Sequence, residues 1–149
     1  MEQSVWMDYL KLLGRLSGTV AQLTDIERKK NEAAARGDVD GVDECMKQEQ
    51  VMSLSLRGIE QKRTALVDRL GLRGVPLREL AAHSPEGLAV ETRKAADELR
   101  GQYEMFRAAS DAARNTLEVN LRAIELYCAE RDKEPPKEME TRRQTDFRA

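Results

Sequence analysis

Aromatic residues are scarce in this 149-residue chain, with one Trp, three Tyr and two Phe. Ile and Val number only 12 and are scattered. So few residues of strand-forming type exclude an extensive sheet. Two cysteines and one histidine cannot assemble a Cys/His zinc site without carboxylate help. The thiols fit a reducing compartment as small packed apolar groups. No apolar run approaches the length of a membrane-spanning helix. The start, Met1-Glu2-Gln3-Ser4-Val5-Trp6, lacks the basic residues and apolar stretch of a secretory signal. Neither sign of charge dominates. Twenty-five basic and 27 acidic residues leave a formal net charge of −2. The basic pair Arg142-Arg143 sits among Glu138, Glu140 and Asp146. No basic face for phosphates can be drawn, which argues against nucleic acid as a partner. Glycine-rich phosphate loops, nucleophile elbows, paired catalytic carboxylates and the Glu-x-x-His pairs of di-metal bundles are missing too. The expectation is a cytoplasmic protein that is not an enzyme, holds no cofactor or metal and does not insert into membranes.

What the chain does contain is helix-forming residues. Ala, Glu, Leu, Lys and Arg make up 76 of the 149 residues, the composition of long helices and coiled coils. From Trp6 a seam runs through Tyr9, Leu13, Leu16, Val20 and Leu23 in steps of three and four. It then turns polar at Glu27 and Lys30 before Ala34. Gly37 and Asp38 supply a stop and an N-cap, so the first helix spans about residues 3–36. The second repeats the pattern through Val42, Cys45, Glu49, Met52, Leu56, Ile59, Arg63, Leu66 and Leu70 and stops at Gly71. Pro76 opens a short linking helix through Ala82, and Ser84-Pro85 then caps and opens the third helix. That helix carries Leu88, Ala95, Leu99, Tyr103, Phe106, Ala109, Ala113, Leu117, Leu121, Ile124 and Cys128. It ends near Arg131, ahead of Pro135-Pro136. The fold expected is all-α: an elongated antiparallel three-helix bundle over residues 1–131, with a long third helix. The charged segment 132–149 has the composition of a disordered tail.

The lengths differ in an informative way. The third helix, at about 46 residues, reaches roughly 70 Å, against about 50 Å for each of the others. If it folds back along the second helix with no axial offset, Val42 is level with residues 112–114. The third helix then outruns the hairpin by about 15 residues, roughly 22 Å. The projecting stretch keeps Leu117, Leu121, Ile124 and Cys128 on one stripe, and a stripe without an internal partner is a binding surface. In the same alignment Glu49 falls near Lys30 and Arg107, and Arg63 near Glu91. These two charges either lie at the seam edge with heads in water or form buried pairs that fix register. Cys45 and Cys128 come out too far apart to bridge and read as packed thiols. His83 reads as a solvent-facing loop residue. Met7, Met46, Met52 and Met105 read as core.

The pattern resembles the FlgN family of flagellar type III export chaperones. The resemblance is carried by Leu10, Leu12-Leu13, Leu16 and Leu23, with Glu32-Ala33 and Gly37-Asp38, in the first helix. In the second it is carried by Lys47-Gln48-Glu49-Gln50-Val51-Met52-Ser53-Leu54 and Ile59-Glu60-Gln61-Lys62-Arg63-Thr64-Ala65-Leu66. Leu70-Gly71-Leu72, Leu77-Arg78-Glu79-Leu80, Asn115 and Asn120-Leu121-Arg122-Ala123-Ile124 complete it, over about residues 8 to 130. The alanines at 108, 109, 112 and 113 depart from an asparagine-rich version of the third helix. The resemblance implies a chaperone that holds hook–filament junction proteins unpolymerised, through their C-terminal helical segments, and delivers them to an export-gate protein or the export ATPase apparatus. It implies cargo binding by the end of the third helix, which on this chain means Asn115, Leu117, Asn120, Leu121, Ile124, Tyr127 and Cys128. Phe147, the lone aromatic of the tail, is a candidate contact for the export gate. A weak homodimer is compatible with this role. The alternative from another class is a structural coiled-coil protein that self-associates through the same stripe.

Overall fold

Two glycines and an aspartate punctuate the chain where the helical pattern breaks. In the computed structural model, which describes residues 2–131 apart from the side chains of Glu2, Ile124, Tyr127 and Arg131, helix α1 spans Glu2–Ala35 and α2 spans Val39–Arg69. A 3-10 helix follows at Leu77–His83, and α3 spans Ala89–Arg131. The described residues contain no strand, and no helix among them is long and apolar enough to cross a membrane. The fold is the expected all-α bundle. The segment 132–149, including Phe147, lies outside the described residues.

The α1–α2 hairpin turns on Gly37, whose φ of 72° is open to glycine at little cost. Asp38 then caps α2: its carboxylate accepts a hydrogen bond from the Gly41 amide at 2.9 Å, satisfying an amide that would otherwise have no partner. Gly41 leaves room for the carboxylate in that position. A Cβ there would run into the Asp38 carboxylate and come within 3.1 Å of Ala33 Cβ. At the other end of α2, Gly71 takes a φ of 70°. The Leu72 amide then reaches back to the Val67 carbonyl at 3.0 Å, and the Gly71 amide to Asp68 at 3.2 Å. This is a Schellman closure, and it turns Leu72 into the core.

The start of the third helix differs from expectation. Ser84 does not cap it but ends the 3-10 helix, its hydroxyl donating to the Ala81 carbonyl at 2.7 Å. Pro85–Leu88 form a separate turn, with the Leu88 amide bonded to the Pro85 carbonyl at 3.1 Å and Gly87 at a φ of 90°. A residue in that conformation cannot belong to a right-handed helix, so α3 begins only at Ala89.

Packing departs from the simple alignment in a more consequential way. The third helix, expected to fold back along the second, packs instead on α1, and α1 lies between the other two. Cα atoms of α2 and α3 come no closer than 8 Å to one another. The Trp6 indole N–H donates to the Thr92 hydroxyl at 2.9 Å. Farther along, Thr116 bonds Asn31 and Asn120 bonds the Ala34 carbonyl. These three pairs are separated by 86, 85 and 86 residues. A constant separation means that α3 runs parallel to α1, and therefore antiparallel to α2.

Because α1 is covered on two sides, it buries two stripes. Trp6, Tyr9, Leu13, Leu16, Val20 and Leu23 are all buried as the seam requires, and so are Leu12, Thr19, Ile26 and Ala33 at heptad spacing. Helix α2 lies close along its backbone only to α1 and buries only Cys45 and Ile59 fully, although each of its nine seam positions is at least partly covered. Three methionines read as core are not: Met7, Met46 and Met105 are exposed, while Met52 is half-buried. Their polarizable, unbranched side chains tolerate the surface. Cys128 is exposed rather than packed, because α3 has left its neighbours by that point, and both thiols are free.

Candidate functional site

The hairpin end of the bundle is where the apolar pattern of α1 gives way to charge. Glu27 and Lys30 continue the seam register of Leu16, Val20 and Leu23, so the fold carries them inward rather than into solvent. Glu27 is only 4% exposed. Lys30 Nζ lies 3.1 Å from Glu27 Oε2 and 2.5 Å from Glu49 Oε1, with side-chain exposures of 13% for Lys30, 6% for Glu27 and 23% for Glu49. Glu49 is paired with Lys30, and its side chain is partly exposed. Arg63 behaves differently. It pairs with Glu60 of its own helix at 3.1 Å, half-exposed, and not with Glu91. Glu60 also accepts from the Tyr103 hydroxyl at 3.3 Å, tying α3 to α2 by a side-chain bridge.

Two carboxylates therefore share one ammonium. Burial is the main reason the Glu27 carboxyl is pushed above its usual range, with the nearby Glu49 adding to the shift and Lys30 opposing it. For Lys30 burial works against the charge, but the hydrogen bonds to Glu49 and Glu27 outweigh it and hold the ammonium above its ordinary value. Burial also raises the neighbouring Cys45 thiol, and Glu49 adds to that shift, so Cys45 is no reactive thiolate. Glu27 Oε2 and Glu49 Oε1, the two oxygens that face the Lys30 ammonium, are shielded from solvent.

This cluster is the floor of a cleft between α2 and α3. The cavity there measures about 360 Å³ and is walled on the α3 side by Ser110, Arg114, Leu117, Glu118 and Leu121. Arg114 leans out to Asp111 at 3.9 Å, and both are exposed.

The register places the residues implied by the family resemblance in three different settings. Leu117 is half-buried at the cleft wall, within the bundle. Asn120 is turned toward α1, where its amide donates to the Ala34 carbonyl. That bond serves a helix end with no basic residue in its last turn. Leu121 is 56% exposed, and Asn115 and Cys128 are exposed. The side chains of Ile124 and Tyr127 lie outside the described residues.

With Asn120 level with Ala34, the hairpin turn at Gly37 is level with about residue 123. The overhang is then about eight residues, or roughly 12 Å, rather than 15. The segment 71–88 causes the difference. It translates the chain along the bundle axis before α3 begins, an offset of about two helical turns. The overhang therefore begins just past residue 123, and Leu121, near the end of the bundle, is already exposed.

Glu27 and Lys30 were not singled out from the sequence as site residues. The available signal was their place on the unbroken three–four register, which looked like a seam fading into solvent. Comparison of the chain with protein-family models, curated proteins and solved structures finds no match.

Proposed function

We propose that this chain is a cytoplasmic export chaperone of the FlgN kind. It holds hook–filament junction proteins unpolymerised by packing against an amphipathic helix at their C-termini, then hands them to the export apparatus. The observation that carries the reading is the α3 stripe, in which Leu117 is half-buried at the cleft wall while Leu121 and Cys128 are exposed. An apolar helical stripe beside an open cleft suits the helix-in-groove mode of recognition. A partner segment disordered when free and ordered when bound would cover about 1,000–2,000 Å². Its assembly surface is then hidden until release.

The test is co-expression with the C-terminal segments of junction proteins, followed by co-purification and light scattering. A monomer or weak dimer that captures such a segment in a one-to-one complex, and gains helicity on doing so, is the expected result. Leu121→Asp should abolish capture while leaving the melting curve unchanged, because Leu121 is already exposed. A tight symmetric oligomer that takes up no junction protein would replace this reading with that of a self-associating coiled-coil protein.

A further inference from the structure

The apolar core is confined to one half of the bundle. Among the described residues it runs from Trp6 to Val20 on α1, and no residue of α2 before Leu56 or of α3 beyond Phe106 belongs to it. In that half α3 is held from three sides. It packs on α1 and on the 3-10 helix, and the Tyr103 hydroxyl donates to Glu60 of α2 at 3.3 Å. Past Phe106 the backbone neighbour of α3 is α1, because the cleft of about 360 Å³ lies between α3 and α2. Apart from Leu117 at the cleft wall, the side chains that α3 covers between Phe106 and Leu121 are small or polar. They are Ala109, Ser110, Ala113, Thr116 and Asn120, of which Ala113 alone is fully buried. Thr116 bonds Asn31, and Asn120 bonds the Ala34 carbonyl. Alanine withdraws little apolar area from water, and hydrogen bonds that water can replace add little net attachment. A segment with few buried apolar contacts opens before the rest of its fold.

We propose that α3 beyond Phe106 is a releasable strap, which leaves α1 as a unit while the apolar half of the bundle stays folded. Its departure uncovers Ala109, Ala113 and the buried side of Leu117, in line with Leu121, which is exposed already. In the closed state α1 occupies that face, so the stripe open to another helix is shorter than the one written in the sequence. The contact with α1 is thus an internal competitor for the stripe. Release needs no partner, so it holds or fails independently of the docking reading.

Hydrogen exchange of backbone amides in the full native chain, followed by NMR at neutral pH, tests it. A released helix loses the packing that stabilises most protein helices, so its amides exchange with solvent. After correction for intrinsic rates, residues 109–120 should exchange at least about tenfold faster than residues 92–106. A smaller difference overturns the inference. So does a gradient of fraying in which residues 109–113 are as slow as residues 92–106. Ile59→Val, a mild change in the apolar half, separates the two openings. It should speed residues 92–106 by about fivefold and leave residues 109–120 unchanged, because the apolar half is still folded when the strap is released. Emission from Trp6, the single tryptophan and a buried one, checks that this half is intact in both chains. Equal acceleration of both sets means one opening for the whole bundle, and the strap does not exist.

Discussion

Replacing Lys30 by methionine isolates the energetics of the buried cluster. The substitution keeps most of the apolar stem and removes the charge, so it leaves packing nearly intact. Two carboxylates then face one another, one of them 6% and the other 23% exposed at the side chain. Removing one partner of a fully buried ion pair costs about 3–5 kcal/mol. The cleft admits water beside Glu49, so the expected loss is smaller, about 2–3 kcal/mol. In a chain of this size that lowers the melting temperature by roughly 5–10 °C. Urea unfolding followed by far-UV circular dichroism at neutral pH measures it. The pH dependence supplies a second readout with a fixed sign. The folded-state pKa of Glu27 lies above its ordinary value, so the folded chain prefers the proton. The stability tied to that preference is fully present at low pH and is lost as pH rises through the folded-state pKa. Without Lys30 the preference strengthens, and the deficit of Lys30→Met should shrink as pH falls from neutrality toward about 5. Glu27→Gln should rescue Lys30→Met at neutral pH, since it fixes the neutral form and lets an amide donate to Glu49. A loss below about 1 kcal/mol, or one indifferent to pH, would mean that the cluster is solvated and that its pairing carries no stability.

Three further outcomes follow from the packing. Trp6→Phe strands the fully buried Thr92 hydroxyl and should cost about 2 kcal/mol; adding Thr92→Val should recover most of that in a double-mutant cycle measured by urea unfolding. Asp38→Ala removes the only side-chain cap of α2 and should cost about 1 kcal/mol, read in the same assay. Gly14→Ala and Gly18→Ala should each raise stability by about 0.5–1 kcal/mol, because both glycines lie inside α1 and an added Cβ meets nothing within 4 Å.

How much of this was legible in the sequence depends on how many neighbours each helix has. Helix α2 packs on one side only, and its register from Val42 to Leu70 could be read directly. Helix α1 packs on two, and its second stripe, Leu12, Thr19, Ile26 and Ala33, mixes a hydroxyl with small and large apolar groups. Period alone does not mark such a stripe as buried. The extent of the overhang is not legible, because periodicity fixes rotation about a helix axis and says nothing of translation along it. That translation is set by Gly71–Leu88, whose path depends on three positive-φ glycines, Gly71, Gly74 and Gly87. The α2 cap and stop were readable because Asp38 and Gly71 act within their own few residues. The site was half-readable for the same reason. Leu117 and Leu121 stand out by local pattern, whereas burial of Glu27 and Lys30 follows only from α1 being the middle helix.

The coincidence of a charged floor with an uncovered stripe has a physical logic. Three helices with α1 between the others leave a cleft between α2 and α3 along the bundle. Near the 3-10 helix the described core closes it with Leu99, Tyr103 and Phe106. At the hairpin end an apolar floor would leave an open greasy trench in the free chain, a site for indiscriminate association. Glu27, Lys30 and Glu49 make the floor of that trench polar instead. Wall and floor are separable by mutation, because Leu121 is exposed while Lys30 is paired inside the bundle. Leu121→Asp should weaken capture of a partner helix at unchanged stability, whereas Lys30→Met should lower stability.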